Sequence, residues 1–349
     1  MARQRWTAAD LPDLSGRTAV VTGASAGLGE IIAAELARAG ASVTLAVRDV
    51  VKGRAAASRM TGRTDVRPLN LADLASVRSF AAGWTGDLDI LVNNAGIMQV
   101  PHGLTRDTFE LQMGTNHLGP FALTLDLLPH IGGRVVTVSS HLKSGGHIHL
   151  DDLNAEHRKY DPLQAYRDSK LANSLFTLEL SRRLTEAGSG VRAVTADPGF
   201  ARTGLAAHVG GVTGALQKPA VRMFNDAAQG AASSLYSATA DIASGSYVAP
   251  DGLQHLRGYP QVIDPPKAAR DGALARQLWD LSSRLPAPTP RPTSDPAAQG
   301  ARTTRAAGKT SRTALHISRD SRDNQSEVIV RRAAESARWR YESCARPPL

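Results

Sequence analysis

A single cysteine, Cys344, is all the thiol chemistry this 349-residue chain carries. One cysteine excludes an intramolecular disulfide framework and any cysteine-rich metal site. Aromatic residues make up only 5% of the chain. No apolar run reaches the length of about eighteen residues that a membrane span needs, so none is expected. The N-terminus, Met1-Ala2-Arg3-Gln4-Arg5-Trp6, runs into Asp10 and Pro12 without an apolar stretch. It does not read as a secretory signal, and a cytoplasmic location is the expectation.

The net charge of +9 invites a nucleic-acid reading, so its position matters. From Ala287 to Leu349 there are 12 Lys and Arg against 6 Asp and Glu; the rest of the chain has 29 against 26. The basic excess therefore sits mostly in the tail, and the body is close to neutral. The tail holds only Trp339 and Tyr341 as aromatics. Without interleaved stacking residues it supports at most a weak, salt-sensitive association, and no specific nucleic-acid partner is expected.

What is present is a core of ample size, with 42% hydrophobic residues and a regular alternation of elements. Thr18 to Thr22 reads as a buried strand, and Ile31 to Ala39 continues a helix after a glycine turn. Ser42 to Ala46, Val66 to Leu71, Leu88 to Val92, Arg134 to Val138, Val191 to Ala196 and Ser246 to Val248 read as further strands. Val51 to Met60, Val77 to Trp84, Phe109 to Leu128, Gln164 to Ala187, Ala227 to Ala238 and Pro265 to Leu285 read as helices, with Gly119-Pro120 as a kink in the third of these. Strands alternating with helices predict an α/β fold, a single doubly wound parallel sheet of the Rossmann type with helices on both faces. The chain divides into residues 1–285, the folded domain, and residues 286–349. That second part opens on the proline-rich run Pro286 to Pro292 and is then dominated by Ser, Thr, Ala and Arg. Such a composition buries too little apolar surface to offset its ordering entropy, so a disordered tail is expected. Phe200 to Val221 lacks clean periodicity. Its Leu205, Val209, Val212 and Leu216 would give a mobile apolar lid, suited to a lipophilic substrate.

Two stretches carry chemistry by their spacing. Gly23, Gly27 and Gly29 follow a strand and open a helix. Glycine permits a tight turn and close approach of the backbone to a pyrophosphate, which the helix N-terminus then attracts. Arg48, just past the second strand, stands where an arginine suits a ribose 2′-phosphate, although Asp49 follows it. Tyr166 and Lys170 are four residues apart within a helical pattern and so share one face. A nearby ammonium favours a phenolate, which would make Tyr166 a usable general acid/base.

Thr22-Gly23-x-x-x-Gly27-x-Gly29, Asn93-Asn94-Ala95-Gly96, Ser140, Tyr166-x-x-x-Lys170 and Pro198-Gly199 occur in the order found in the short-chain dehydrogenase/reductase family. The resemblance covers about residues 14 to 285. Asp152-Leu153-Asn154, Ser169-Lys170-Leu171-Ala172-Asn173 and Gly258-Tyr259-Pro260 resemble the retinol-dehydrogenase and WW-domain-oxidoreductase-like branch. The resemblance implies a catalytic set of Asn116, Ser140, Tyr166 and Lys170. In it Tyr166 is the acid/base, Lys170 binds the nicotinamide ribose, Ser140 holds the substrate oxygen with Ser139 as its rival, and Asn116 anchors a relay water. It implies a dinucleotide site of Gly23, Ser25, Gly27, Leu28, Gly29, Arg48, Asn70, Asn94, Ala95, Gly96, Tyr166, Lys170, Pro198, Gly199 and Thr203. Asn70 departs from the family's usual aspartate beside the adenine, which changes that contact without abolishing it. The expected cofactor is NADP, with NAD as the alternative. The expected partner is a small-molecule alcohol or carbonyl substrate, and the helices at 109–128 and 164–187 are expected to form the faces of a homo-oligomer.

Three other readings are weaker. Ser140 and His141 with a nearby aspartate could imitate a hydrolase triad, but no G-x-S-x-G elbow surrounds Ser140. His141, His147, His149 and His157 lie in one loop without a supporting ligand motif, and these, His117 and His208 read as solvated or structural, so no metal is expected. A dinucleotide-binding sensor without turnover is the alternative function. The intact set of Asn116, Ser140, Tyr166 and Lys170 argues against it.

Overall fold

Side chains alternate across the first strand, β1 (Thr18–Thr22), and so define the two faces of the fold. Val20 enters a core with Leu88, Leu91, Phe121, Phe176 and Trp279. Its neighbours Ala19 and Val21 enter the opposite core with Ile32, Leu36, Val43, Leu45, Val92 and Leu235. The computed structural model describes residues 5–200 and 227–284. Thr203, the lid stretch beyond Phe200 and the tail from residue 286 lie outside the described residues.

The elements follow as α1 (Gly27–Arg38), β2 (Ser42–Val47), α2 (Val50–Ala57), β3 (Arg63–Pro68), α3 (Leu74–Ala82) and β4 (Leu88–Asn93). A short α4 (Leu111–Met113) and α5 (Gly119–Leu127) precede β5 (Ile131–Val138), α6 (Pro162–Glu186), β6 (Arg192–Ala196) and α7 (Ala227–Thr239). The described part closes with β7 (Tyr247–Pro250), β8 (Pro260–Ile263) and α8 (Gly272–Ser283). The strands form one sheet in the order β3-β2-β1-β4-β5-β6-β7-β8, parallel except for the β7–β8 pair. α1 and α7 cover one face; α3, α5 and α6 cover the other, with α8 laid over α6. This is the single doubly wound sheet expected from the alternation of elements.

The local departures have simple causes. β3 ends at Pro68, where residues up to Leu71 were expected to continue it. It is an edge strand in which Arg63 and Asp65 are exposed and Thr64, Val66 and Arg67 only partly buried, so it has no apolar run to read. Leu69 and Leu71 are buried past its end. β8 was not foreseen, because it is four residues long, begins with proline and pairs antiparallel at the other edge. The last helix starts at Gly272, not Pro265, because Asp271 caps it, accepting the N–H groups of Ala273 (3.0 Å) and Leu274 (2.9 Å). The expected helix from Phe109 to Leu128 is broken by a wide turn, Gly114–Leu118, in which the Gly119 N–H reaches back to the Gly114 carbonyl. Asn116 sits on that turn, a type of irregularity frequent at functional sites.

His117, on the same wide turn, points into the core. It is buried against Phe121 and Phe176, with Nε2 at 3.1 Å from the Ser282 hydroxyl. Burial pushes its pKa down to about 4. The unfolded chain takes up this proton near pH 6.5, so between those values the unfolded state binds more protons. The stabilisation from neutral His117 is complete above about pH 6.5 and is lost as the pH falls toward 4, by about 3 kcal/mol in all. His117→Gln, which keeps a polar partner for Ser282, should remove this part of the slope. Urea unfolding at about pH 7 and about pH 5 checks it, and an unchanged slope in the variant would assign the acid sensitivity to other groups.

Candidate active site

The sequence motifs gather at one edge of the sheet because parallel strands all end on the same side. Gly23 follows β1, Asn94 to Gly96 follow β4, Ser139 and Ser140 follow β5, and Asp197 to Gly199 follow β6. The strand order turns outward in opposite directions from β1 and β4, which opens a crevice at their carboxyl ends.

The N-terminus of α1 faces this crevice, and its N-cap residue, Ala26, supplies no side-chain acceptor. By contrast α2, α3, α6 and α8 are each capped by an aspartate, Asp49, Asp73, Asp161 and Asp271. The first N–H groups of α1 are therefore left to an external acceptor, and the helix dipole favours an anionic one. Gly27 has a φ of 60°, and nothing lies within 4 Å of the position a Cβ would take there. Gly29 is needed for the opposite reason. A Cβ there would lie 2.5 Å from the Gly23 carbonyl oxygen and collide with the Asn94 amide. Asn94 itself is fixed by donating to the Thr22 carbonyl (2.9 Å), while the Thr22 hydroxyl accepts the N–H groups of Asn94 and Ala95, both at 3.0 Å. Ser25 and Leu28 are half-buried on the same turn.

Arg48 is exposed past the end of β2 and has no hydrogen bond or ion pair among the described residues. Its neighbour Asp49 is already engaged, accepting the Lys52 N–H at 3.1 Å as the cap of α2. Asn70 closes a local turn, its side-chain oxygen accepting the Ala72 N–H at 3.2 Å. These features fit a dinucleotide: an uncapped helix terminus for its phosphates, an open glycine turn, and an unpaired guanidinium beyond the second strand.

α6 carries the rest of the site. Asp161 caps it and Pro162 occupies its first turn, a favourable start for a helix of 25 residues. Tyr166, Lys170 and Asn173 then fall on one inward face, all buried. The Lys170 ammonium donates to the Val138 carbonyl at 3.0 Å and lies 5.8 Å from the centre of the Tyr166 ring. Burial pushes Lys170 down to about 8, opposed by the negative charge of Asp197. Tyr166 is pushed up to about 12, also by burial, with a hydrogen bond from Ser140 acting in the opposite direction and Asp197 reinforcing the rise. Without a dinucleotide, then, the phenol is held protonated; the depression expected from Lys170 is outweighed by desolvation.

Asn116 links the loop after β4 to α6. Its amide donates to the Ile97 carbonyl (2.9 Å) and to the Ser169 hydroxyl (3.0 Å), and its oxygen accepts the Ile97 N–H (2.8 Å). Gly96 lets this junction meet Lys170, since a Cβ there would stand 3.2 Å from Asn116 Oδ1 and 3.4 Å from Lys170 Nζ. The rival serines separate by their bonding. Ser139 donates to the Lys170 carbonyl at 2.8 Å and accepts from Ser174 at 3.0 Å. The Ser140 hydroxyl accepts the Leu142 N–H at 3.3 Å and acts on Tyr166, lowering the pKa of the phenol against the effect of burial. Ser139 is thus a strut for α6, and Ser140 is left on the side of Tyr166.

The family model for the short chain dehydrogenase matches residues 17–211, more than half of the chain. The chain belongs to the short-chain dehydrogenase family. Human retinol dehydrogenase 13 is 43% identical over 295 residues, covering 78% of this chain and 85% of that protein. Mouse polyprenol dehydrogenase is 39% identical over 292 residues, covering 79% and 85%. The crystal structure of an uncharacterized protein from Mycobacterium paratuberculosis is 49% identical, covers 81% of this chain and 97% of its own, and superimposes with a TM-score of 0.71. The resemblance to the retinol-dehydrogenase branch is shown, and with it a nicotinamide-dinucleotide-binding oxidoreductase of alcohols and carbonyls.

In this short-chain dehydrogenase the site is also backed by residues to which sequence reading gave no role. Lys143, Asp197 and Tyr247 form a buried polar cluster behind Ser140, and Ser169 receives the Asn116 amide. Asp197 had one signal, its place directly before Pro198-Gly199; Lys143 and Tyr247 had none, because their partners are distant in the chain. Gly199, with a φ of 66°, donates its N–H to Asp197 at 2.9 Å. A cleft of about 480 Å³ opens over this cluster, edged by His141, His255 and Ile263. Among the described residues no helix is long and apolar enough to cross a membrane. Gly29→Ala should lower stability by about 1–3 kcal/mol through overpacking and weaken dinucleotide binding at least tenfold, about 1.4 kcal/mol. Calorimetric titration with NADPH reads the second effect, and undiminished binding would remove the glycine turn from the cofactor site.

Proposed function

We propose that this protein is an NADP(H)-dependent oxidoreductase that interconverts a lipophilic alcohol and its carbonyl, with Tyr166 as general acid/base. The observation that carries the reading is the meeting of Ser140, Tyr166, Lys170 and Asn116 beside the uncapped N-terminus of α1. The bound dinucleotide supplies the hydride chemistry. Everything else belongs to the chain. The hydroxyls of Ser140 and Tyr166 polarise the substrate oxygen. Tyr166 gives that oxygen its proton in reduction and removes it in oxidation. Lys170 carries positive charge at neutral pH and, through that charge, offsets the cost of a buried phenolate. Asn116 holds the loop at Ile97 against α6, so that Lys170 keeps its place.

The preference for NADP(H) is supported by the contrast between Arg48, exposed and unpaired among the described residues, and Asp49, engaged as a cap. A 2′-phosphate needs the first and a 2′-hydroxyl would need the second. The lipophilic substrate is supported by the relatives named for retinol and polyprenol. Residues 1–285 form the catalytic unit in this reading, located in the cytoplasm, with 286–349 as an appendage.

Tyr166→Phe should lower turnover of retinaldehyde or a long-chain aldehyde by at least about a hundredfold, with NADPH affinity unchanged; retained turnover would sink the acid/base assignment. Arg48→Ala should weaken NADPH binding about tenfold and NADH binding far less. Fluorescence titration with both dinucleotides decides this, and equal losses would move the specificity to Asp49. Tight dinucleotide binding with no turnover of any aldehyde or alcohol would favour the sensor reading.

A further inference from the structure

A deeply buried ion pair lies directly behind the proposed catalytic serine. Lys143 and Asp197 each expose only 2% of their side chains, with Nζ and Oδ2 2.9 Å apart. The same oxygen accepts the Tyr247 hydroxyl at 2.6 Å, and the Lys143 ammonium stands 4.4 Å from the centre of the Tyr247 ring. Burying such a pair is costly, and replacing both members with apolar groups is often neutral or stabilising. Stability alone therefore does not account for it.

The remaining bonds of the cluster reach the site from two sides. Lys143 Nζ also donates to the Ser140 carbonyl at 3.1 Å. Asp197 Oδ1 accepts the Gly199 N–H at 2.9 Å. The pair thus ties the loop after β5 to the loop after β6, whose ends are otherwise joined here by the Ser139 N–H to the Ala196 carbonyl. Tyr247, on β7, braces it from the next strand. We propose that Lys143, Asp197 and Tyr247 are positioning residues for the reaction: a charge-balanced clamp that orients Ser140 and Gly199 and partly offsets the Asp197 charge that reaches Tyr166.

The charged and titratable groups around Tyr166 show why balance matters. Lys170 lies on its own helix, His141 follows Ser140 after β5, and Asp197 follows β6; His255, after β7, faces His141. Among the described residues Asp197 is the carboxylate that acts on Tyr166 and Lys170, raising both. Its own burial favours the neutral acid, but Lys143, Tyr247 and Gly199 together hold it ionised. With Lys143 present, the negative charge near the phenol is compensated at 2.9 Å. With Lys143 gone, it is not, and a phenolate beside it is disfavoured.

This inference rests on Tyr166 as the acid/base, and its test needs no substrate. The ionisation of Tyr166 is followed by near-ultraviolet tyrosinate absorbance in protein saturated with NADP, as the difference between each variant and the same variant carrying Tyr166→Phe. Lys143→Met should raise the pH of ionisation by about one unit or more. Asp197→Asn should lower it, and the double variant should return close to the wild type. NADPH binding should persist in all three. Shifts of the same sign in both single variants, or none, would overturn the clamp and leave a purely structural ion pair. If Lys143→Met does not fold, Asp197→Asn and the double variant carry the same test. Absence of a Tyr166 signal in the wild type would instead defeat the acid/base reading, and the inference with it.

Discussion

An ammonium in the core is the constraint on which the rest of this site depends. Lys170 is buried among helix and sheet, where the charged form is disfavoured. Burial pushes its pKa down to about 8 against the pull of Asp197, and the Val138 carbonyl accepts its hydrogen bond. Gly96 lies against it, where a Cβ would stand 3.4 Å from Nζ and 3.2 Å from Asn116 Oδ1. Its direction is fixed because Asn116, Ser139 and Ser169 tie α6 to the loops after β4 and β5. Loosening any of these would let water in or the ammonium out, and the charge beside Tyr166 would change with it.

The same helix organises the packing. Beyond the site, Phe176 of α6 stacks on Trp279 of α8 at 5.8 Å, and Phe121 of α5 meets the same ring edge-on at 5.0 Å. Arg183 covers that indole from the far end. The faces of α5 and α6 that meet here, foreseen in the sequence as surfaces for another copy of the chain, are covered in part by the chain's own last described helix. His117 lies in this aromatic layer as a neutral ring, which makes the region an acid-sensitive part of the fold.

Much of this was legible in the residues. Strands such as Leu88–Asn93 are buried on both faces, so their apolar runs announce them, and parallel pairing then forces the motifs to one edge. The pairing of Tyr166 with Lys170 needed only helical spacing. β3 and β8 were misplaced or missed for one reason: each lies at an edge of the sheet, where burial, and hence apolar pattern, is weak. The wide turn at Gly114–Leu118 was hidden within a pattern that an ordinary helix would also satisfy.

The sequence by itself determined the doubly wound sheet, the glycine turn and the shared face of Tyr166 and Lys170, because each follows from spacing within a few residues. Only the tertiary structure decided how those groups behave. It separated Ser139, whose hydroxyl is spent on α6, from Ser140, whose hydroxyl lowers the pKa of Tyr166, although the two are adjacent in the chain. It left Arg48 without a partner among the described residues and engaged Asp49. It also brought Lys143, Asp197 and Tyr247 together across more than a hundred residues of chain. Burial and charge are properties of the space around a group, and that space is built by residues far from it in sequence.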